Sequence, residues 1–161
     1  MTTMPSAPKA DTIVDVQGLS DQRQVPIDKV GVKDVTYPMI LKTRDGKTQQ
    51  TVAKINMYVA LPHHQKGTHM SRFLEVLNEH QNEPLTPDRI PEVTAAIRER
   101  LNAETAHFQA SFTYFINKPA PVTGMKGLMD YEVTFECERN GSDATSSFIL
   151  GVAAPATSLC P

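Results

Sequence analysis

The stretch TVAKINMYVAL, residues 51–61, sets the architecture. Ala53, Ile55, Met57 and Val59 alternate with Lys54, Asn56 and Tyr58. A period of two with one apolar and one polar set is the pattern of an antiparallel strand that is buried on one face and wet on the other. Upstream, VGVKDVTYPMILKT (residues 30–43) is rich in β-formers and runs into Arg44-Asp45-Gly46-Lys47, whose Asp-Gly pair is a hairpin signal. Two antiparallel strands are therefore expected before residue 62.

Downstream the period changes. Phe73, Leu74, Val76 and Leu77 gather on one side of a helix, with Glu75, Asn78 and Glu79 opposite, and Asn82-Glu83-Pro84 ends it. A second helix has Ile90, Val93, Ile97 and Leu101 as its stripe, with Arg98, Glu99 and Arg100 facing out. Thr86-Pro87-Asp88 marks its start, and Pro91 fits a first turn equally well. Strand periodicity returns with Phe108, Ala110, Phe112, Tyr114 and Ile116, and again with Tyr131, Val133, Phe135 and Cys137. Glu132, Thr134, Glu136 and Glu138 face water, Asn140-Gly141 is a second hairpin signal, and SSFILGVAAP opens a fifth strand for which the sequence offers no partner hairpin.

The order β-β-α-α-β-β predicts an α+β fold: an antiparallel sheet with a helix pair on one face. Residues 1–25 read as a tail or arm, 26–145 as the module, and 146–161 as the start of a second, truncated module. The polar strand faces would look outward, or inward if several sheets close into a ring with a lumen.

With 161 residues the chain is long enough for one domain with a real core. Its formal net charge of −2 argues against a general nucleic-acid binder. The first residues lack the apolar stretch of a secretory signal, and no apolar run approaches the 18 or so residues of a membrane span. Two cysteines, Cys137 and Cys160, fit a reducing compartment, so the cytoplasm is the expected location.

Two stretches carry chemistry. LPHHQKGTHMSRF (residues 61–73) holds three of the five histidines beside Lys66 and Arg72. It lies where a strand hands over to a helix, so N–H groups and the positive dipole end favour an anion. Thr68 and Ser71 are candidate caps, and Lys66, His69 and Arg72 are the candidate anion ligands. A solvated basic loop and a metal site are the competing readings; adjacent His63 and His64 point apart on an extended chain, which is poor metal spacing. In APATSLCP (residues 154–161), Cys160 is either a buried strand-end thiol or a thiolate nucleophile or metal ligand. Cys137 shares an apolar face and reads as core.

IDKVGVKDVTYP (27–38), NMYVALPHHQKGTHMSRF (56–73) and PATSLCP (155–161) together resemble the type IB GTP cyclohydrolases, from about Asp15 to the last residue. The resemblance implies a tunnelling fold, with β-β-α-α-β-β modules whose sheets join across subunits in a tetramer or larger ring. It implies opening of the GTP imidazole ring, release of formate, and closure to dihydroneopterin triphosphate, a first step toward folate-type pterins. It also implies a divalent metal (Zn, Mn or Fe) with Cys160 as thiolate ligand and possible participant in the chemistry. Lys66, His69 and Arg72 would then meet the triphosphate. Family members continue well past this cysteine to further metal ligands and the guanine-binding groups, so the chain is expected to be a fragment. A binding-only module, an oligomerisation module and a tunnelling-fold nitrile reductase are the alternatives. Formate release separates the first two from the enzyme, and NADPH dependence would identify the third.

Overall fold

A computed structural model describes residues 22–141 and 146–158. Five strands, β1 (Ile27–Lys42), β2 (Thr48–Leu61), β3 (Thr105–Pro119), β4 (Lys126–Asn140) and β5 (Ser146–Ala153), form one sheet in the order β1-β2-β3-β4-β5. Every neighbouring pair is antiparallel. Between β2 and β3 lie α1 (Met70–Glu79) and α2 (Ile90–Arg100), the latter entered through a short 3-10 turn at Pro87–Arg89. Both prolines thus act at helix entries, Pro87 in the turn and Pro91 in the first turn of α2. At those positions the missing N–H has no helical partner to lose.

One sheet face carries the core. Ala53, Ile55, Met57 and Val59 of β2 are buried, as are Ala106, Phe108, Ala110 and Phe112 of β3 and Val133, Phe135 and Cys137 of β4. Phe73, Val76 and Leu77 of α1 and Ile90, Val93, Ile97 and Leu101 from α2 and its end close over them. Each Val, Leu, Ile, Met or Phe among them contributes about 1.5–3 kcal/mol by leaving water. Phe112 and Phe135 meet edge-to-face with centroids 5.0 Å apart. Cys137 is core, as its strand face predicted, and burial pushes its thiol pKa up. Among the helical residues Thr94 is buried, and its hydroxyl donates to the Ile90 carbonyl at 2.8 Å.

The antiparallel helices are tied by Arg100, which reaches Glu79 at 2.6 Å and Glu75 at 3.4 Å. The expected Asp45-Gly46 turn forms: Gly46 has φ +81°, and Thr43 donates to Asp45 at 2.5 Å. That hydroxyl, with Lys47, holds the exposed Asp45 carboxyl down to about 2.

Three local expectations are corrected. Leu74 is 42% exposed, because the stripe facing the sheet is the narrower Phe73, Val76, Leu77 set. Arg98 does not face out: it is half-buried and donates to the Asn140 carbonyl at 3.4 Å, spanning from α2 to the end of β4. Ile116 is 40% exposed, since β3 and β4 run on past the ends of the helices as a two-stranded ribbon. The Asn140-Gly141 hairpin signal is borne out, since β5 pairs with β4 from Glu132↔Ala153 to Arg139↔Ser146.

Where β2 and β3 part company, side chains replace the ladder. The register pairs them only from Val59↔Ala106 to Ala53↔Phe112. Beyond it, Thr51 Oγ1 donates to the Thr113 carbonyl at 3.0 Å. The Gln49 amide both donates to the Phe115 carbonyl (3.4 Å) and accepts from its N–H (3.3 Å).

Candidate functional site

The basic loop lies at one end of the sheet. Residues 62–69 leave β2 at Leu61, which pairs with Ile27 at the start of β1. A turn closed by Gln65 N–H to the Pro62 carbonyl at 3.0 Å opens the loop, with His63 and His64 exposed and their rings edge-on at 5.3 Å. His69, not Thr68 or Ser71, is the N-cap of α1, in an extended conformation with φ −82° and ψ 103°. Thr68 precedes the cap by one residue and Ser71 is already the second residue of the helix, so neither hydroxyl can serve as its cap. The His69 side chain makes no cap hydrogen bond and the first turn carries no acidic residue, so the helix itself brings no anionic group to the positive end of its dipole.

Lys66 is exposed on the loop, while Arg72 is half-buried in the first turn and its Nη1 donates to the Arg100 carbonyl at 3.3 Å. Arg72 therefore serves both the helix pair and the loop. The three candidate anion ligands fall within seven residues of sequence around the start of α1. Cys160 lies outside the described residues. The strand leading to it ends at Ala153, level with Glu132, whereas the loop leaves the sheet beyond the Val59–Ala106–Arg139–Ser146 row. Seven residues of β5 separate those levels, about 23 Å along a strand.

A second polar constellation was not singled out from the sequence. On the face away from the helices, Tyr58, His107, Glu138 and Ser147 form one row across four strands, with Asn56, Gln109, Glu136 and Ile149 in a second. The three polar members of the second row are bonded in series. Asp34 N–H, in a bulge with φ +56°, donates to Asn56 Oδ1 at 2.7 Å. Asn56 Nδ2 donates to Gln109 Oε1 at 2.6 Å, and Gln109 Nε2 to Glu136 Oε1 at 2.9 Å. Side chains from β1 and β5, the two edges, line a common cavity of about 200 Å³ with Tyr58, His107 and Glu138, so the sheet curls toward its polar face. Carrying the alternation one position upstream of Phe108 puts His107 on the polar face of β3, but its place opposite Glu138 depends on the β3–β4 register.

His107 Nδ1 lies 3.5 Å from Glu138 Oε2. Burial, then the Lys29 charge, lowers its pKa below the ordinary 6.5, with Glu138 opposing. The sign follows. Above pH 6.5 the ring is neutral in both folded and unfolded chains and has no effect. Below it the unfolded chain takes up a proton that the folded one resists, so stability falls as pH drops until the folded ring also protonates. His107→Gln should flatten that acid-side loss in urea midpoints measured between pH 7 and pH 5. An unchanged slope would assign the loss to other groups.

Among the described residues no three His, Cys, Asp or Glu side chains come together as a metal site, so no metal-dependent step is built from them. No described helix is long and apolar enough to cross a membrane.

A family model described as type I GTP cyclohydrolase folE2 matches residues 13–161. The GTP cyclohydrolase FolE2 of Geobacter metallireducens is 49% identical over 161 residues, covering 100% of this chain and 57% of the relative. That of Geobacter sulfurreducens is 49% identical over 148 residues, 91% of this chain and 55% of the relative. That of Nitrosomonas eutropha is 46% identical over 149 residues, 92% and 55%. The chain thus spans little more than half the length of these relatives. The match over nearly all of its residues, on an α+β module of the expected order, makes it a member of the type I GTP cyclohydrolase FolE2 family, the type IB enzymes.

Proposed function

We propose that the protein to which this chain belongs is a GTP cyclohydrolase: it opens the imidazole ring of GTP, releases formate and yields dihydroneopterin triphosphate. The observation that carries the reading is the uncapped, acid-free start of α1, flanked by Lys66, His69 and Arg72, in a chain of this family. A triphosphate needs several donors and positive charges in one place, and a helix start with basic side chains supplies both. In this reading Lys66 and His69 hold phosphate oxygens, and Arg72 is steadied against α2 by its bond to the Arg100 carbonyl.

Cys160 is the proposed thiolate ligand of a divalent metal, which would supply an activated water for attack on the imidazole carbon. Its remaining ligands, like the groups that grip guanine, are proposed to lie outside this chain. A homo-oligomer with the polar sheet faces turned toward a lumen is the proposed assembly. The cytoplasm is the proposed compartment.

Incubating the complete protein with GTP and measuring formate tests the reading: stoichiometric formate supports it, and GTP binding without formate leaves only a binding module. Lys66→Ala is the informative variant. Loss of one charge-assisted hydrogen bond should raise the KM for GTP about tenfold or more while bound metal stays constant. Lost metal with an unchanged KM would reverse the assigned division between loop and cysteine.

A further inference from the structure

For a helix whose start is to meet a triphosphate, α1 carries the wrong charge. Its own charged residues are one arginine, Arg72, and two glutamates, Glu75 and Glu79, a net charge of −1. At the rise of a helix, Glu75 lies about 8 Å and Glu79 about 14 Å down the axis from Met70. The two glutamates are four residues apart, so they share a face and repel each other. Left bare, they would oppose an anion at the helix start, because screening at physiological salt sets in only over about 8 Å.

Arg100, the last residue of α2, answers both carboxylates. Its Nη2 donates to Glu79 Oε1 at 2.6 Å and its Nη1 to Glu75 Oε2 at 3.4 Å. Hydrogen bonding and charge from Glu79 hold the Arg100 pKa above its ordinary value. The backbone of the same residue takes part as well, since its carbonyl accepts from Arg72 Nη1 at 3.3 Å. That carbonyl belongs to the negative end of the α2 dipole, which the Arg72 guanidinium offsets. Arg100 therefore meets α1 twice, through its carbonyl at the helix start and through its guanidinium along the acidic face. Exposed ion pairs of this kind contribute little to stability, so their main effect is on the local field.

We infer that Arg100 is a positioning residue for triphosphate binding: its guanidinium masks Glu75 and Glu79, so that the start of α1, with Arg72 held on the Arg100 carbonyl, presents positive charge to the phosphates. This role rests on the proposed reading of the α1 start as the triphosphate site. It adds a residue of the other helix that acts on the ligand only through its neighbours.

Formate release by the complete protein, with kcat and KM for GTP measured separately, tests this role. R100M should raise KM about three- to tenfold with kcat nearly unchanged, and the rise should shrink in about 1 M salt. R100K keeps the charge but not the two-pronged fork, so KM should stay close to its original value. The triple variant R100M/E75Q/E79Q removes the mask together with the charges it masks, and KM should again return close to the original. A purely mechanical clamp between the helices predicts the opposite, with R100K and the triple variant as impaired as R100M. That result would overturn the role, as would an R100M enzyme with unchanged KM beside a Lys66→Ala enzyme whose KM has risen. If neither R100M nor Lys66→Ala moves KM, the α1 start is not the triphosphate site and the role of Arg100 falls with it. Circular dichroism checks that every variant is folded, as substitutions at these exposed positions should be.

Discussion

Gly31→Ala should be among the most damaging single changes in this protein, costing about 3 kcal/mol or more of stability. Gly31 pairs with Tyr58 across β1 and β2, between two register shifts, at Ile27/Val30 and Val32/Val35. The double bulge presses β1 onto its neighbour there. A methyl group at Gly31 would overlap the Met57 carbonyl oxygen and lie 2.8 Å from Tyr58 Cα. Both are backbone atoms of a central strand, so no side chain can rotate away, and relief requires prising β1 off β2. Close backbone approach is the usual reason for glycine inside a strand. Gly151→Ala serves as the control. Its added methyl would meet Thr134 Cβ at 3.6 Å, an ordinary contact. A large fall in urea midpoint for Gly31→Ala beside a small one for Gly151→Ala is the expected pair of results. Equal shifts would mean that β1 relaxes freely at its bulges.

Phe73→Ala should cost a comparable amount, about 3–5 kcal/mol, because a fully buried aromatic leaves a cavity that neighbours only partly fill. Its consequence reaches further than stability. Phe73 is completely buried and sits in the first turn of α1, one residue after Arg72. It is therefore the bolt that fixes the helix start, and with it Lys66, His69 and Arg72, against the sheet. At temperatures where the variant remains folded, GTP affinity should fall although no proposed ligand has been changed. Val76→Ala, a turn further along the same stripe and also fully buried, should lower stability with a much smaller effect on GTP affinity. Parallel losses of affinity in both variants would show that the helix moves as one rigid piece.

Much of the fold was legible because two periods alternate along the chain. The apolar sets at Ala53–Val59, Phe108–Phe112 and Val133–Cys137 all proved to be core, as did the Ile90, Val93, Ile97, Leu101 stripe. What escaped the sequence depends on contacts distant in the chain. The bulge at Asp34 is held by Asn56, 22 positions away, and no local pattern announces a positive φ at an aspartate. Arg98 looked outward by helical spacing, yet Asn140 draws it in from 42 positions away. The start of α1 shifted from Thr68 to His69 because cap chemistry is read from residue type, whereas the helix start is set by where Phe73 must dock. The candidate anion ligands Lys66, His69 and Arg72 could be named from the sequence because they are close neighbours in it. The His107–Glu138 row was not, since it exists only once β3 and β4 are in register. Cys160 was singled out from its own stretch, with the metal-ligand reading preferred only through the family resemblance, and it lies outside the described residues.

The amide of Gln49 has a consequence for chemical ageing. By both donating to and accepting from Phe115, one side chain does the work of a neighbouring strand at a single rung. Deamidation would exchange its nitrogen for oxygen with almost no change of shape. The new carboxylate could still accept from the Phe115 N–H, but it would set a negative oxygen against the Phe115 carbonyl where a donor had been. The outer end of the ribbon would then loosen on the β2 side without any residue of the ribbon being altered. Old and fresh preparations of the same protein could differ at a place where their genes do not.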